Sequence, residues 1–423
     1  MAAACVLVDS AAYIDDTNDS TNGSTAQEFT STGNRIVVSL WPASPPIPSR
    51  LTVHGKEMHP GHDFFQEPKI LCAADCFFVL RIAIGRSPPP RYITQKMSDY
   101  FIYQPARSTG PSLTLLPHPH PHLFEDDEVG VLRRGDHFTI AVLSQASYFN
   151  FVLYLFKSED WYWTYKEVLV DPPQIPFPMP LPPDHGRGHF QHVTNSVITI
   201  GSRGAIGWVD LWQGILFYDV LGDNEDKIHL VTLPVRPGSH GGKALDCCPK
   251  PYRSVSVVGD CLKFVELEPS GHRLPGKDPE TRGPKLKIDD WTLTTYTNCK
   301  ITGDPEDWKP DFTVNASAIR IDATMRSVLL RCGMLLRKTH NSSEAAERNL
   351  QNLWTCQPVV SLNDDEGAVV YLIARVKFQH PKAWLLAVDM ANNQVRAMAM
   401  IETERSTALS LNYFPCRISS PAT

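Results

Sequence analysis

Long apolar runs are missing from this 423-residue chain. The two richest stretches, 70–84 and 141–156, are broken by Asp75 and Arg81 and by Ser144, Gln145 and Asn150. Neither offers the roughly 20 clean residues of a membrane helix, so no membrane partner is expected. A basic excess is missing too. With 40 Lys and Arg against 46 Asp and Glu, the net charge is −6, which argues against a broad cationic face for nucleic acid. Cysteine is sparse at 10 residues, far from the density of a disulfide scaffold. The segment before Asp9 has no basic stretch, and its apolar run is too short for a secretory signal. The resulting expectation is a cytoplasmic or nuclear protein whose cysteines are reduced thiols, with the sequons at Asn18, Asn22, Asn315 and Asn341 occurring by chance.

Catalytic signatures are absent as well. No Gly-x-x-x-x-Gly-Lys-Ser/Thr or Gly-x-Gly-x-x-Gly cradle, no Gly-x-Ser-x-Gly elbow and no His-Glu-x-x-His pair occurs. The run 238–243 is glycine-rich and ends in Lys243, but its spacing is wrong for phosphate, and a flexible loop explains it. Asp126-Asp127-Glu128 and Asp364-Asp365-Glu366 are the densest carboxylate clusters. Solvated turns account for them better than a glycosidase pair does. The basic segment 81–91 is short and contains three prolines.

Metal chemistry has two candidate trios. His118, His120 and His122 alternate with prolines, and a polyproline II backbone turns successive side chains apart, away from one metal. His185, His189 and His192 flank Gly186-Arg187-Gly188, where a fold-back is conceivable but loop histidines are the ordinary reading. Cys72 with Cys76 has no second pair, and Cys247-Cys248 is adjacent, so neither has zinc-finger arithmetic. No catalytic residue, metal ligand or cofactor is assigned.

What the chain does contain is strands. Runs rich in Val, Ile, Tyr, Phe and Trp recur at 35–40, 71–84, 100–103, 138–143, 150–156, 162–170, 196–200, 215–220, 254–258, 262–267, 368–374 and 384–388, between Gly, Pro, Asp and Asn clusters. Helical patterning is scarce: Ser342 or Ser343 would cap a helix over 344–353, and 325–338 suits helix or strand equally. The fold class expected is all-β, with few short helices. Proline, at 35 residues, concentrates in 171–190, from Pro172 to Pro183. A stiff connector is preferred there over a ligand for an SH3- or WW-type groove. The stretches 234–251 and 267–284 read as mobile loops.

A strand, a turn and a second strand ending near Asp recur at 207–210 with 214–219 and at 369–372 with 384–389. Looser copies lie at 259–267 with 291–296 and at 151–156 with 161–165. A degenerate β-propeller-like stack of antiparallel meanders over 1–423 fits this irregular repetition, because one small meander cannot cover both of its own faces.

The run from Gly204 through Trp208-Val209-Asp210-Leu211-Trp212 to Leu216 carries a family resemblance. So do Asp219-Val220-Leu221, Val231-Thr232-Leu233-Pro234, Arg253 and Gly259 to Glu266. Flanking agreement comes from Val6-Leu7-Val8-Asp9, Asp99 to Tyr103, Leu115-Leu116-Pro117 and Trp384 to Asp389. The chain resembles the grass-expanded plant family known as domain of unknown function 1618. That family has no assigned activity, and its strand pattern is similar to F-box-associated and kelch-like propeller domains. The resemblance implies a β-propeller-like interaction domain. It does not imply ubiquitin ligation, since no F-box-like helical segment precedes Trp41.

Four residues apart, Trp208 and Trp212 would share one face of a straight strand and fill a core between sheets. The functional expectation is a non-catalytic protein-binding domain. A sugar or ester hydrolase with its site in the channel and a regulatory component docking through 172–183 are the rivals.

Overall fold

The computed structural model describes residues 3–15, 21–56, 58–59, 63–74, 76–85, 97–105, 110–119, 124–147, 149–170, 192–222, 227–234, 248–337, 348–363, 368–402 and 413–419. Strands dominate them, in four-stranded units. β1 (Ala3–Asp9) precedes blade 1, which holds β2 (Tyr13–Ile14), β3 (Ala26–Phe29), β4 (Arg35–Trp41) and β5 (Arg50–Gly55). Blade 2 holds β6 (Lys69–Ala74), β7 (Phe77–Ala83), β8 (Ser98–Gln104) and β9 (Ser112–Leu115). Blade 3 holds β10 (Val129–Arg134), β11 (His137–Ser147), β12 (Asn150–Lys157) and β13 (Tyr162–Val170).

Blade 4 follows with β14 (Ser196–Ile200), β15 (Ala205–Asp210), β16 (Gly214–Asp219) and β17 (Lys227–Thr232). Blade 5 has β18 (Arg253–Val258), β19 (Cys261–Lys277), β20 (Pro284–Asn298) and β21 (Lys309–Asn315). Blade 6 has β22 (Trp354–Val360), β23 (Val369–Arg375), β24 (Lys382–Asp389) and β25 (Gln394–Glu402). The last strand, β26 (Tyr413–Ser419), returns to pair antiparallel with β1, from Ala3 opposite Ser419 to Asp9 opposite Tyr413. β1 in turn meets blade 1 through the parallel bridge of Val8 with Ser49.

Blades 2 to 6 are meanders whose neighbours in sequence are neighbours in the sheet. Blades 3 and 4 also touch edge to edge, through a short parallel pairing of Leu169 and Val170 with Lys227 and Ile228. The apolar side chains gather into six clusters, five shared by two successive blades and one by blade 6 and the β1–β26 pair. Phe77 of blade 2 meets Phe138 of blade 3, Leu153 of blade 3 meets Trp208 of blade 4, and Val209 meets Phe264 of blade 5. Trp291 meets Leu372 of blade 6, Ile373 meets Leu7 and Tyr413 at the joined chain ends, and Val38 of blade 1 meets Leu80 of blade 2. The sixth cluster closes the sequence of interfaces into a ring. The fold is all-β and β-propeller-like.

Indoles pin the ring. Trp163 Nε1 donates to Pro117 O at 2.8 Å, Trp208 Nε1 to Glu128 O at 2.8 Å, Trp291 Nε1 to Leu350 O at 3.2 Å and Trp308 Nε1 to Thr232 O at 2.7 Å. Each bond leaves its own blade for the carbonyl of a neighbouring blade or of its approach segment, so a large apolar surface and a directional anchor coincide in one side chain.

The repeated Asp has a local cause. At strand ends it accepts backbone N–H groups of the following turn: Asp9 from Ala11, Asp210 from Trp212, Asp219 from Leu221 and Gly222, and Asp389 from Asn392. These are Asx turns, which the side chain's short reach favours. Gly214 is required by close approach, since a Cβ there would sit 2.7 Å from Val231 O.

Several expectations need correction, and one left open between helix and strand, at 325–338, is settled as helix through Arg331. The run 71–84 is two strands, β6 and β7, turned at Cys76 in the left-handed region (φ 72°). The stretch 267–284 is mostly a β19–β20 hairpin arm. Its Leu286 and Ile288 lean on the core of blade 6, and its tip is held by Lys377 Nζ, 2.8 Å from Asp278 and 2.7 Å from Glu280. Residues 323–331 form a helix, α1 (Ala323–Arg331), capped by Asp322 Oδ1 accepting from Met325 N at 2.8 Å. Trp208 and Trp212 do not share a strand face, because β15 ends at Asp210 and Trp212 sits in the turn. Both are nonetheless buried. Finally, Cys261 and Cys299 form a disulfide, so the cysteines are not all thiols. The Pro-rich 171–190, most of 234–251 and residues 344–347 lie outside the described residues, whereas 348–353, the rest of the expected helix, hold a bridge at Arg348 and a 3-10 turn (Leu350–Asn352) in place of an α-helix.

Candidate functional site

The first strands of blades 2 to 6, with β26, surround a central channel of about 1040 Å³. Its wall is apolar where Leu71, Cys72, Val197, Val255 and Pro415 line it, and polar at both ends. The entry end, where these strands begin, carries Glu67, Lys69, Arg81, Asp126, Asp127 and Lys250. The exit end carries Arg133, Ser202, Asp260 and Arg417.

The entry charges are tied together across blades. Asp126 begins a 3-10 turn (Asp126–Glu128) ahead of β10. Its carboxylate accepts from Arg81 Nε at 2.7 Å and Nη2 at 2.9 Å, and Lys69 Nζ lies 3.0 Å away. The fork of a guanidinium matches a carboxylate edge to edge, which orients as well as attracts. Burial alone would raise the Asp126 carboxyl, but the bonds and charges of Arg81 and Lys69 outweigh it and hold it below the ordinary value. Asp127 reaches Lys250 at 2.6 Å. That pair joins the approach to blade 3 with the approach to blade 5, passing over blade 4.

Glu128 is displaced the other way, upward, chiefly by burial. Two carboxyls shifted apart are the signature of an acid–base pair. Here, however, Glu128 does not line the channel. It accepts from Ser144 Oγ at 2.9 Å and from Glu125 N at 3.0 Å, while Asp126 is occupied by two cations. The two carboxyls do not converge on a common point in the lumen. Asp364-Asp365-Glu366, the run 238–243 and most of the basic segment 81–91 lie outside the described residues.

The histidine trios are not assembled among the described residues. His118 packs edge-on against Tyr100, with ring centroids 5.9 Å apart, whereas His120, His122, His185 and His189 lie outside them. His192 is buried against Phe151. No group of three His, Cys, Asp or Glu among the described residues is placed to hold a metal ion, and no described helix is long and apolar enough to cross a membrane.

His192 and Asp210 are two buried titratable groups on the entry to blade 4. Asp210 accepts from Val193 N at 2.9 Å, Trp212 N at 2.9 Å and Gln213 Nε2 at 3.1 Å. Burial still raises its carboxyl to about 6, and it lowers the His192 imidazole to about 3. The signs oppose. With its folded value raised, Asp210 contributes stability that is present below about pH 4 and lost as pH rises to 6, amounting to about 3 kcal/mol. His192 contributes stability that is present above its unfolded value near 6.5 and lost as pH falls. Urea unfolding at pH 4 and pH 6.5 should therefore show Asp210→Asn gaining stability relative to the parent as pH rises, and His192→Leu losing it. Parallel changes in both variants would exclude the assignment.

Sequence reasoning missed the most buried charge pair. Arg253 and Glu266 are both almost wholly inaccessible. Arg253 Nη2 and Nε donate to Glu266 Oε1 at 2.6 and 3.0 Å, and Nη1 donates to Leu211 O at 3.1 Å. The guanidinium lies 4.4 Å over the Trp212 ring. The available signal was Glu266 standing inside the apolar run Phe264-Val265-Glu266-Leu267.

Residues 208–371 match the family DUF1618, described as a protein of unknown function. The matched segment begins at Trp208, whose indole reaches from blade 4 to blade 3, and takes in the whole Arg253–Glu266 clamp. No curated protein matches the chain. Among solved structures, one from a study of two prolyl endopeptidases aligns at 10% identity and a TM-score of 0.31, covering 80% of this chain and 43% of that one. A Penicillium chrysogenum alpha-L-arabinanase complexed with arabinobiose aligns at 10% identity and a TM-score of 0.25, covering 96% and 99%. The chain thus spans less than half of the endopeptidase.

Proposed function

We propose that this protein is a non-catalytic interaction domain that binds a protein partner at the entry face of its β-propeller-like ring. The observation that supports this is the state of two of the channel's entry carboxylates: Asp126 and Asp127 are each neutralised by a cation from another blade, an arrangement that joins blades and occupies both carboxylates. The first strands of blades 2 to 6 and β26 all begin at this face. A binding surface built from several chain segments is what such a ring offers.

The test combines cross-linking with turnover. Partner peptides cross-linked to the parent should be lost in a Lys69→Glu/Lys250→Glu variant and kept in Arg133→Glu, which alters the exit. Loss only in the exit variant would overturn the reading. Product release from a panel of oligosaccharides and esters that Asp126→Asn abolishes would favour the hydrolase. Loss of the partner on deleting 172–183 alone would favour docking through the Pro-rich segment.

A further inference from the structure

Of the nine cysteines among the described residues, seven are thiols and two are joined. Cys261 opens β19, and Cys299 follows the last residue of β20, next to the cross-strand pair of Leu262 with Asn298. This corner carries the seam between blades 4 and 5 at the channel exit. Ser202 Oγ donates to Asp260 Oδ1, Arg203 Nη2 donates to Cys299 O at 3.1 Å, and Nη1 donates to Lys300 O at 3.4 Å. Two more of its residues, Gly201 and Gly259, line the channel.

The bridge is also accessible. Cys299 is exposed and Cys261 half-buried, so a thiolate from solution can reach the bridge. Cys72 and Cys356, on the channel wall, are the opposite case, because burial pushes their thiols up, that of Cys356 to about 12. The thiolate is the reactive form, and burial withholds it.

We propose that Cys261–Cys299 is a site of reversible thiol–disulfide exchange with a dithiol reductant, and that its state sets how firmly blades 4 and 5 are joined at the exit. One thiolate of the dithiol attacks the Cys299 Sγ. The bond between the two cysteine sulfurs breaks, and its electron pair leaves on Cys261, which takes a proton from solvent. The second dithiol sulfur, as thiolate, then attacks its own partner in the mixed disulfide and releases Cys299 as a thiolate, which is protonated in turn. The protein disulfide becomes two thiols, and the dithiol becomes a cyclic disulfide. Once reduced, the carbonyls of residues 299 and 300, to which Arg203 is anchored, sit on a corner no longer tied to β19.

The experiment equilibrates the full chain in stepped ratios of reduced to oxidised dithiothreitol, followed by differential alkylation and mass spectrometry. Residues 261 and 299 should convert together and reversibly while the other eight cysteines stay reduced. Amide exchange over 201–204 should rise about tenfold or more on reduction, as expected when a cross-link stops restraining a local opening. Arg203→Ala should make that exchange fast at every ratio while leaving the cysteine titration in place. A Cys261→Ser/Cys299→Ser variant should match the reduced parent. Two thiols at every ratio, or reduction that leaves exchange over 201–204 unchanged, would overturn the proposal.

Discussion

Glu266→Ala should lower the unfolding free energy by about 3–5 kcal/mol, the size expected when one partner of a buried ion pair is removed and the other charge is left stranded. Arg253 would keep its bond to Leu211 O and its place over Trp212, but its positive charge would lie buried without a carboxylate. Arg253→Met should cost a similar amount, through the stranded Glu266. A double variant, Arg253→Met/Glu266→Leu, should recover much of the loss, since apolar groups of similar volume often replace a buried pair at little cost. Chemical denaturation of the three variants decides it. Near-additive losses in the double variant would show that the two side chains act separately.

Trp208→Ala is the second large effect, about 3–5 kcal/mol as for other buried aromatics truncated to alanine. The indole is fully buried in the cluster shared by blades 3 and 4. Its removal opens a cavity there and leaves Glu128 O without its donor. Trp208→Phe should recover part of the loss, refilling volume without restoring the N–H. The thermal midpoints of the two variants separate packing from hydrogen bonding. Midpoints equal to the parent's in both would refute the pinning role.

Much of the architecture was legible because strand faces alternate and because Asp closes turns locally. The pairs 207–210 with 214–219 and 369–372 with 384–389 are the adjacent second and third strands of blades 4 and 6. The hairpin arm was not legible. Pro269, Gly271, Pro275 and Gly276 read as a loop, and what holds the arm extended, Lys377 together with the flank of blade 6, lies about a hundred residues away. Trp212 was read from strand spacing, but the Asx turn at Asp210 ends the strand two residues earlier. The disulfide pairs residues 38 apart in sequence, a proximity that only the strand register creates. The entry carboxylates were visible as a cluster, but their cations come from two other blades, so composition alone made them look solvated.

The pairing of β1 with β26 gives the ring a clasp made from two strands far apart in the sequence. A nascent chain can build blades 2 to 6 one after another, but two of the six interfaces stay unfinished until the seven-residue strand Tyr413–Ser419 is available. Clipping that strand would bare Leu7 and Val8 on opposite sides at once and turn a closed circle into an open arc.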